Sequence, residues 1–183
     1  MKGVDLMILS VDDLMNLPEF EDQDRDFLDR KLQGIEILIR KYTNNNFQNR
    51  NIRFLAPSNG QILNGISPFL KVDDTIQITG SDVNDGLYIV QDLDLEEGTV
   101  TVDRDLFPVQ FNLVTKVEYP VDVQMGVINL MKWEISNRDK VGIKSESLSR
   151  HSVTYYDQDA NNQVMGYPVS LMGFLEHYKK ARF

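Results

Sequence analysis

Arg150-His151-Ser152 and Ser145-Glu146-Ser147 set a base or a carboxylate beside a hydroxyl, the residue types of nucleophilic catalysis. That chemistry needs the base within hydrogen-bond reach of the nucleophile and held there by a third group. Here the residues are neighbours in sequence only, and no Gly-x-Ser-x-Gly elbow is present. His151 therefore reads as a surface or interface histidine. His177 has no His or Glu partner at metal-ligand spacing, which argues against zinc. The carboxylates of Asp92-Leu-Asp-Leu-Glu-Glu97 and Asp103-Arg-Asp105 invite calcium. A calcium loop needs glycine at its sixth position, and Asp82-Val-Asn-Asp-Gly86 places it one residue too early. These acids read as a solvated face. No catalytic, cofactor-binding or metal-binding residue is expected, and the chain is not expected to be an enzyme.

The elements that must position these residues fall into three blocks. Ser10-Val-Asp-Asp13 has the chemistry of a helix N-cap, and Pro18 keeps the helix it opens short. Before it, residues 1–9 read as an extended arm. A long amphipathic helix spans Phe27 to Asn45, with Leu28, Leu32, Ile35, Ile39 and Tyr42 on one stripe. Thr43-Asn-Asn-Asn46 ends it, because asparagine tolerates left-handed backbone. From Asn51 the pattern becomes short β-branched runs at 52–55, 75–79, 87–90, 99–102 and 114–117. Asn-Asp-Gly86 and Glu-Gly98 mark hairpin turns between them. Five such strands predict a small antiparallel β-barrel over Asn51–Glu118, inserted between helical segments. Pro120 then opens a second long helix to Arg138, with Val121, Met125, Ile128, Met131 and Ile135 as its stripe. Gly142 suits its termination. Gly166-Tyr-Pro168 opens a last helix reaching Tyr178, followed by the basic, aromatic end Lys179-Lys-Ala-Arg-Phe183.

The net charge of −9 and pI of about 4.7 oppose nucleic-acid binding, since duplex affinity comes from Lys and Arg neutralising phosphates. Few basic residues and few aromatics in the barrel argue the same way for single strands. With no cysteine, neither a disulfide framework nor a thiolate metal site is available. Met1–Ser10 is too short and too soon followed by Asp12 and Asp13 for a signal peptide. No stretch approaches the ~20 apolar residues of a membrane span, and no membrane partner is expected.

Between the second long helix and the last one lies Gly142–Tyr156, where Ser145, Ser147, Ser149 and Ser152 compete with backbone hydrogen bonding. A polar, extended crossing of this kind needs a neighbour to satisfy its backbone. Ile143-Lys-Ser-Glu-Ser-Leu-Ser-Arg-His-Ser-Val-Thr-Tyr155, with Met165-Gly-Tyr-Pro-Val-Ser-Leu-Met-Gly-Phe-Leu-Glu-His-Tyr-Lys-Lys-Ala-Arg-Phe183, resembles the head–tail connector (adaptor) proteins of tailed bacteriophages of Gram-positive hosts. The resemblance covers roughly the first fifty residues and the last sixty-odd; the middle is an insertion.

The resemblance implies an α+β fold: a helical bundle of two long antiparallel helices plus short N- and C-terminal helices, carrying the inserted barrel. Its domains would be 1–50, 51–118 and 119–183. It implies a structural virion protein that forms a ring of about twelve subunits beneath the portal. The ring would extend the DNA channel and join capsid to tail. Its partners would be further copies of itself, the portal protein, a tail-side stopper protein, and passing duplex DNA without sequence-specific binding. It would reside in the virion neck, and in the host cytoplasm during assembly. The portal-binding tail would be Tyr178, Lys179, Lys180, Arg182 and Phe183. The subunit interface would hold Ile143, Ser145, Glu146, Ser147, Leu148, Arg150, Val153 and Tyr155. An inserted barrel inside the ring would obstruct the channel, so it is expected outside. Two other readings stay open: a head-completion or stopper protein one layer lower, and a ligand-binding barrel using the carboxylates around Asp92–Asp105.

Overall fold

The computed structural model describes residues 8–137, 145–148, 151–154 and 163–181, with the backbone alone for 145–148 and 151–154. The chain divides into two compact units, residues 45–119 and residues 8–44 with 120–181.

In the first unit six strands form one antiparallel sheet: β1 (Gln48–Leu55), β2 (Ser58–Asn64), β3 (Thr75–Thr79), β4 (Gly86–Asp94), β5 (Thr99–Val109) and β6 (Leu113–Val117). Their order is β1-β6-β3-β4-β5-β2, which leaves β1 and β2 as edges. β4 changes partner along its length. Gly86–Ile89 pair with β3, and Val90–Asp94 pair with β5. At the changeover the Asp103 carboxylate accepts the Ile89 N–H at 2.9 Å, standing in for a ladder acceptor. Alternation places Ile76, Ile78, Val90, Val100, Val102 and Val114 in a core from which water is excluded. The β4–β5 turn closes at Gly98, whose φ of 68° only glycine adopts without strain.

The second unit begins with α1 (Val11–Met15), where the Ser10 hydroxyl accepts the Asp13 N–H at 3.0 Å. α2 (Arg25–Thr43) is capped by the Asp24 carboxylate, which accepts the Phe27 N–H at 2.7 Å. It ends at Asn44 in left-handed geometry. α3 (Val121–Asn137) follows the sheet. Then come a hairpin of β7 (Ser145–Leu148) with β8 (His151–Thr154) and a two-residue pairing of β9 (Gln163–Val164) with β10 (Tyr167–Pro168). The four-residue α4 (Val169–Met172) runs into a 3-10 helix over Gly173–Tyr178. Val11, Leu14, Phe20, Leu28, Val127 and Leu130 are among its buried side chains.

The expected helical bundle with two long antiparallel helices is corrected by this architecture. The largest element is the six-stranded sheet, and α2 and α3 have 19 and 17 residues beside two very short helices. The strands outgrew expectation because β1, β4 and β5 run on through polar residues whose backbone is paired across the sheet. The terminal segment failed to make one continuous helix for a local reason. Residues 163–168 are taken up by the β9–β10 pairing, and the remaining turns contain Gly173, too little for a cooperative helix. The stripe on α3 is also different. Val121 and Met125 are exposed; Met131 is buried as the stripe expects, together with Val127 and Leu130 beside it, and Val123 and Gly126 are buried as well.

Two glutamates are buried in this unit. Glu36 accepts the Ile8 N–H at 3.2 Å, with the Arg40 guanidinium 4.0 Å away. Glu134 on α3 pairs with Lys31 on α2 at 2.5 Å. A buried carboxylate is tolerated only with such partners, so both tie their elements together.

Candidate assembly interface

The C-terminal segment is fastened to the ends of two helices. The last carbonyls of an α-helix have no partner within it. The Thr43 carbonyl at the end of α2 accepts the Lys180 N–H at 2.7 Å. Asn44 reaches the same segment through its side-chain amide, which donates to the Ala181 carbonyl at 2.9 Å. One turn back, the Tyr42 hydroxyl donates to Glu176 at 2.9 Å, and Lys179 pairs with that carboxylate at 2.7 Å. The Lys179 ammonium also lies 4.2 Å from the centre of the Tyr42 ring. From the other side, the Tyr178 hydroxyl donates to both oxygens of Asp122, in the first turn of α3, at 2.8 Å.

These contacts set the electrostatics. Lys179 and then Tyr42 hold the Glu176 carboxyl below its ordinary range, and Glu176 in turn raises the Lys179 ammonium. The hydrogen bond to Asp122, with burial second, raises the Tyr178 phenol. The groups bind and orient one another. None forms a nucleophile–base pair of the kind acyl or phosphoryl transfer requires.

Of the residues assigned to the tail, Tyr178 and Lys179 are thus engaged within the subunit. Lys180 is held by its backbone with its side chain exposed, and Arg182 and Phe183 lie outside the described residues. Of those assigned to the subunit interface, Ser145, Glu146, Ser147 and Leu148 lie on β7 and Val153 on β8. Their register pairs Ser145 with Thr154 and Leu148 with His151. Ile143, Arg150 and Tyr155 lie outside the described residues, as does Gly142. The sequence did not single out Tyr42, Asn44, Asp122 or Glu176 as anchors. The Glu176–Lys179 spacing was a usable local signal; Tyr42 is 134 residues from Glu176 and gave none.

The acidic residues of the sheet are put to structural use. Asp94 accepts the N–H groups of Glu96 and Glu97, closing the β4–β5 turn, and Asp103 serves Ile89. Among the described residues no group of three or more His, Cys, Asp or Glu is placed to hold a metal ion, and no helix is long and apolar enough to cross a membrane.

No family model and no curated protein matches this chain.

Proposed function

We propose that this chain is a structural subunit of a tailed-phage neck: an adaptor that assembles into a closed ring beneath the portal, continues the DNA channel and joins the capsid to the tail. The observation that carries this is the β7–β8 hairpin. It occupies the serine-rich motif and, among the described residues, shares no ladder with any other strand. Two four-residue strands on their own are marginally stable in water. A neighbouring subunit that covers or extends the hairpin would stabilise it, and head-to-tail contacts whose rotation closes make a ring. The fastened C-terminal segment supports the same reading, because it gives the basic, aromatic chain end a fixed base from which to reach the portal.

The net charge of −9 per subunit suits a conduit that must pass duplex DNA without holding it. The test is to mix purified chain with portal and image the product. Added density as a closed ring on one portal face is the expected result. Capsids assembled without this chain that still acquire tails would refute the proposal.

A further inference from the structure

The chain enters the sheet at Gln48 and leaves it at Val117, and these two residues are paired. At the opposite end of the sheet the connections 55–58 and 80–86 meet residues 106–113, the end of β5 with its link to β6. Buried Asn84 joins them. Its amide group donates to the Ser58 hydroxyl at 3.1 Å, the Phe107 carbonyl at 2.9 Å and the Asn112 side chain at 3.1 Å, and its oxygen accepts the Phe107 N–H at 2.8 Å. Asn112 and Ala56 exchange both backbone hydrogen bonds at 3.1 Å.

Around this polar knot sit apolar side chains that face water. Leu55 is 52% exposed, Val83 54%, Phe107 66% and Phe111 58%. Each belongs to, or stands next in sequence to, a residue of the knot, so the four are confined to one cap. Singly scattered apolar residues are ordinary on a protein surface; a set held in place by a buried network is not. Asp82 and Asp85 in the 80–86 connection and Asp105, which precedes Leu106 on β5, are exposed, and residues 55–58, 80–86 and 106–113 contain no Lys or Arg. Two arginines lie near in register. Arg53 donates to the Thr115 hydroxyl at 2.9 Å. Arg104 borders the cap beside Gly86, donates to the Leu87 carbonyl and lies 4.3 Å over the Tyr88 ring, so one positive charge offsets part of the acidic set.

We propose that this cap is a docking surface for a protein partner that presents apolar side chains flanked by Lys or Arg. The two phenyl rings supply the apolar anchors typical of interface centres, and the carboxylates select the partner's charge. The Asn84 network holds the connections in place beforehand, so little ordering entropy is lost on docking. Duplex nucleic acid and anionic lipid are repelled by the same three carboxylates, as is a second cap of this chain. The inference does not rest on the adaptor reading.

The test uses the full chain in its native setting, with the photoreactive residue p-benzoylphenylalanine replacing Phe107, Phe111 or, as a control outside the cap, the equally exposed Phe69. The first two positions should cross-link to one and the same foreign polypeptide, at a peptide with apolar residues beside Lys or Arg. The control should not. Adding Asp82→Asn, which keeps a residue that tolerates the left-handed backbone there, and Asp105→Lys should lower the yield about ten-fold while leaving the thermal melt in place. Absence of an adduct would overturn the proposal. So would an adduct only with lipid, nucleic acid or another copy of this chain, an equal yield at Phe69, or a yield indifferent to these charge changes. Whether the chain is present in virions is read separately by immunoblot, so failure of the adaptor reading is distinguishable.

Discussion

Gly126 lies on the buried face of α3, and a Cβ built on it would come closer than 3.0 Å to three atoms of the Phe174 ring. Replacing Gly126 with Ala therefore sets two effects against each other. Alanine in a helix interior stabilises by ~1 kcal/mol relative to glycine. Forcing a methyl group against a packed ring costs ~1–3 kcal/mol. The clash dominates, and Gly126→Ala should destabilise the helical unit by about 0–2 kcal/mol.

The sign reverses when the ring is gone. In a Phe174→Ala background the same substitution should stabilise by up to ~1 kcal/mol, giving a coupling of ~1–3 kcal/mol between the two positions. Urea unfolding followed by tryptophan fluorescence isolates the right unit. The chain has one tryptophan, Trp133 on α3, whose ring meets Tyr167 edge-on at 5.4 Å. If Gly126→Ala shifts the midpoint equally in both backgrounds, the close approach of Phe174 does not limit this position.

Asn84→Leu strips the knot of its donor and acceptor together and leaves the part-buried Phe107 N–H and the acceptors Asn84 served unpaired, so it should cost on the order of 2 kcal/mol; a thermal melt of the variant unchanged within a degree would speak against the network. Glu176 should titrate below the ordinary glutamate range by carboxyl NMR, with Lys179→Met moving it back up. Because its folded value is the lower one, its contribution to stability is present above the unfolded value and is lost as pH falls through the folded one. Tyr178 is the opposite case: its raised phenol favours the folded state below pH 10.0, and that contribution fades as pH rises through the folded value; Asp122→Asn should lower the phenol towards its ordinary value in an ultraviolet titration, with burial keeping part of the raise. Removing Lys179–Phe183 should leave the subunit folded by circular dichroism and abolish portal attachment; undiminished co-sedimentation with portal would count against the docking role.

How far the sequence could be read depended on whether each signal was local. The runs at β1 and β3–β6 announce themselves because β-branched residues alternate and turn residues punctuate them. β2 does not. Pro57-Ser-Asn-Gly60 reads as a turn, and its residues from Ser58 on form a strand only because the 11-residue β5 offers a partner. On α3 the apolar residues go most of the way round, so periodicity allowed two faces and could not say that Val123 and Val127 point inward and Val121 outward. The buried glutamates were invisible for another reason. Glu36 is matched by a backbone N–H 28 residues away and Glu134 by a lysine 103 residues away. At the candidate interface the cap residues of α2 were readable from three consecutive asparagines, but their use as anchors for residues 176–181 was not.

That anchoring changes what each tail residue can be asked to do. Tyr178 and Lys179 already make side-chain contacts inside the subunit, so removing either disturbs the base of the tail as well as any partner contact. The Glu176–Lys179 pair is exposed, and exposed ion pairs hold weakly, so a portal carboxylate could draw Lys179 away without unfolding the segment. The bonds from the Thr43 carbonyl and the Asn44 side-chain amide are different: they fasten the tail's main chain whichever partner Lys179 chooses. A substitution at Tyr178 or Lys179 therefore mixes any loss of attachment with a loss of local stability, and a thermal melt run beside co-sedimentation with portal separates the two.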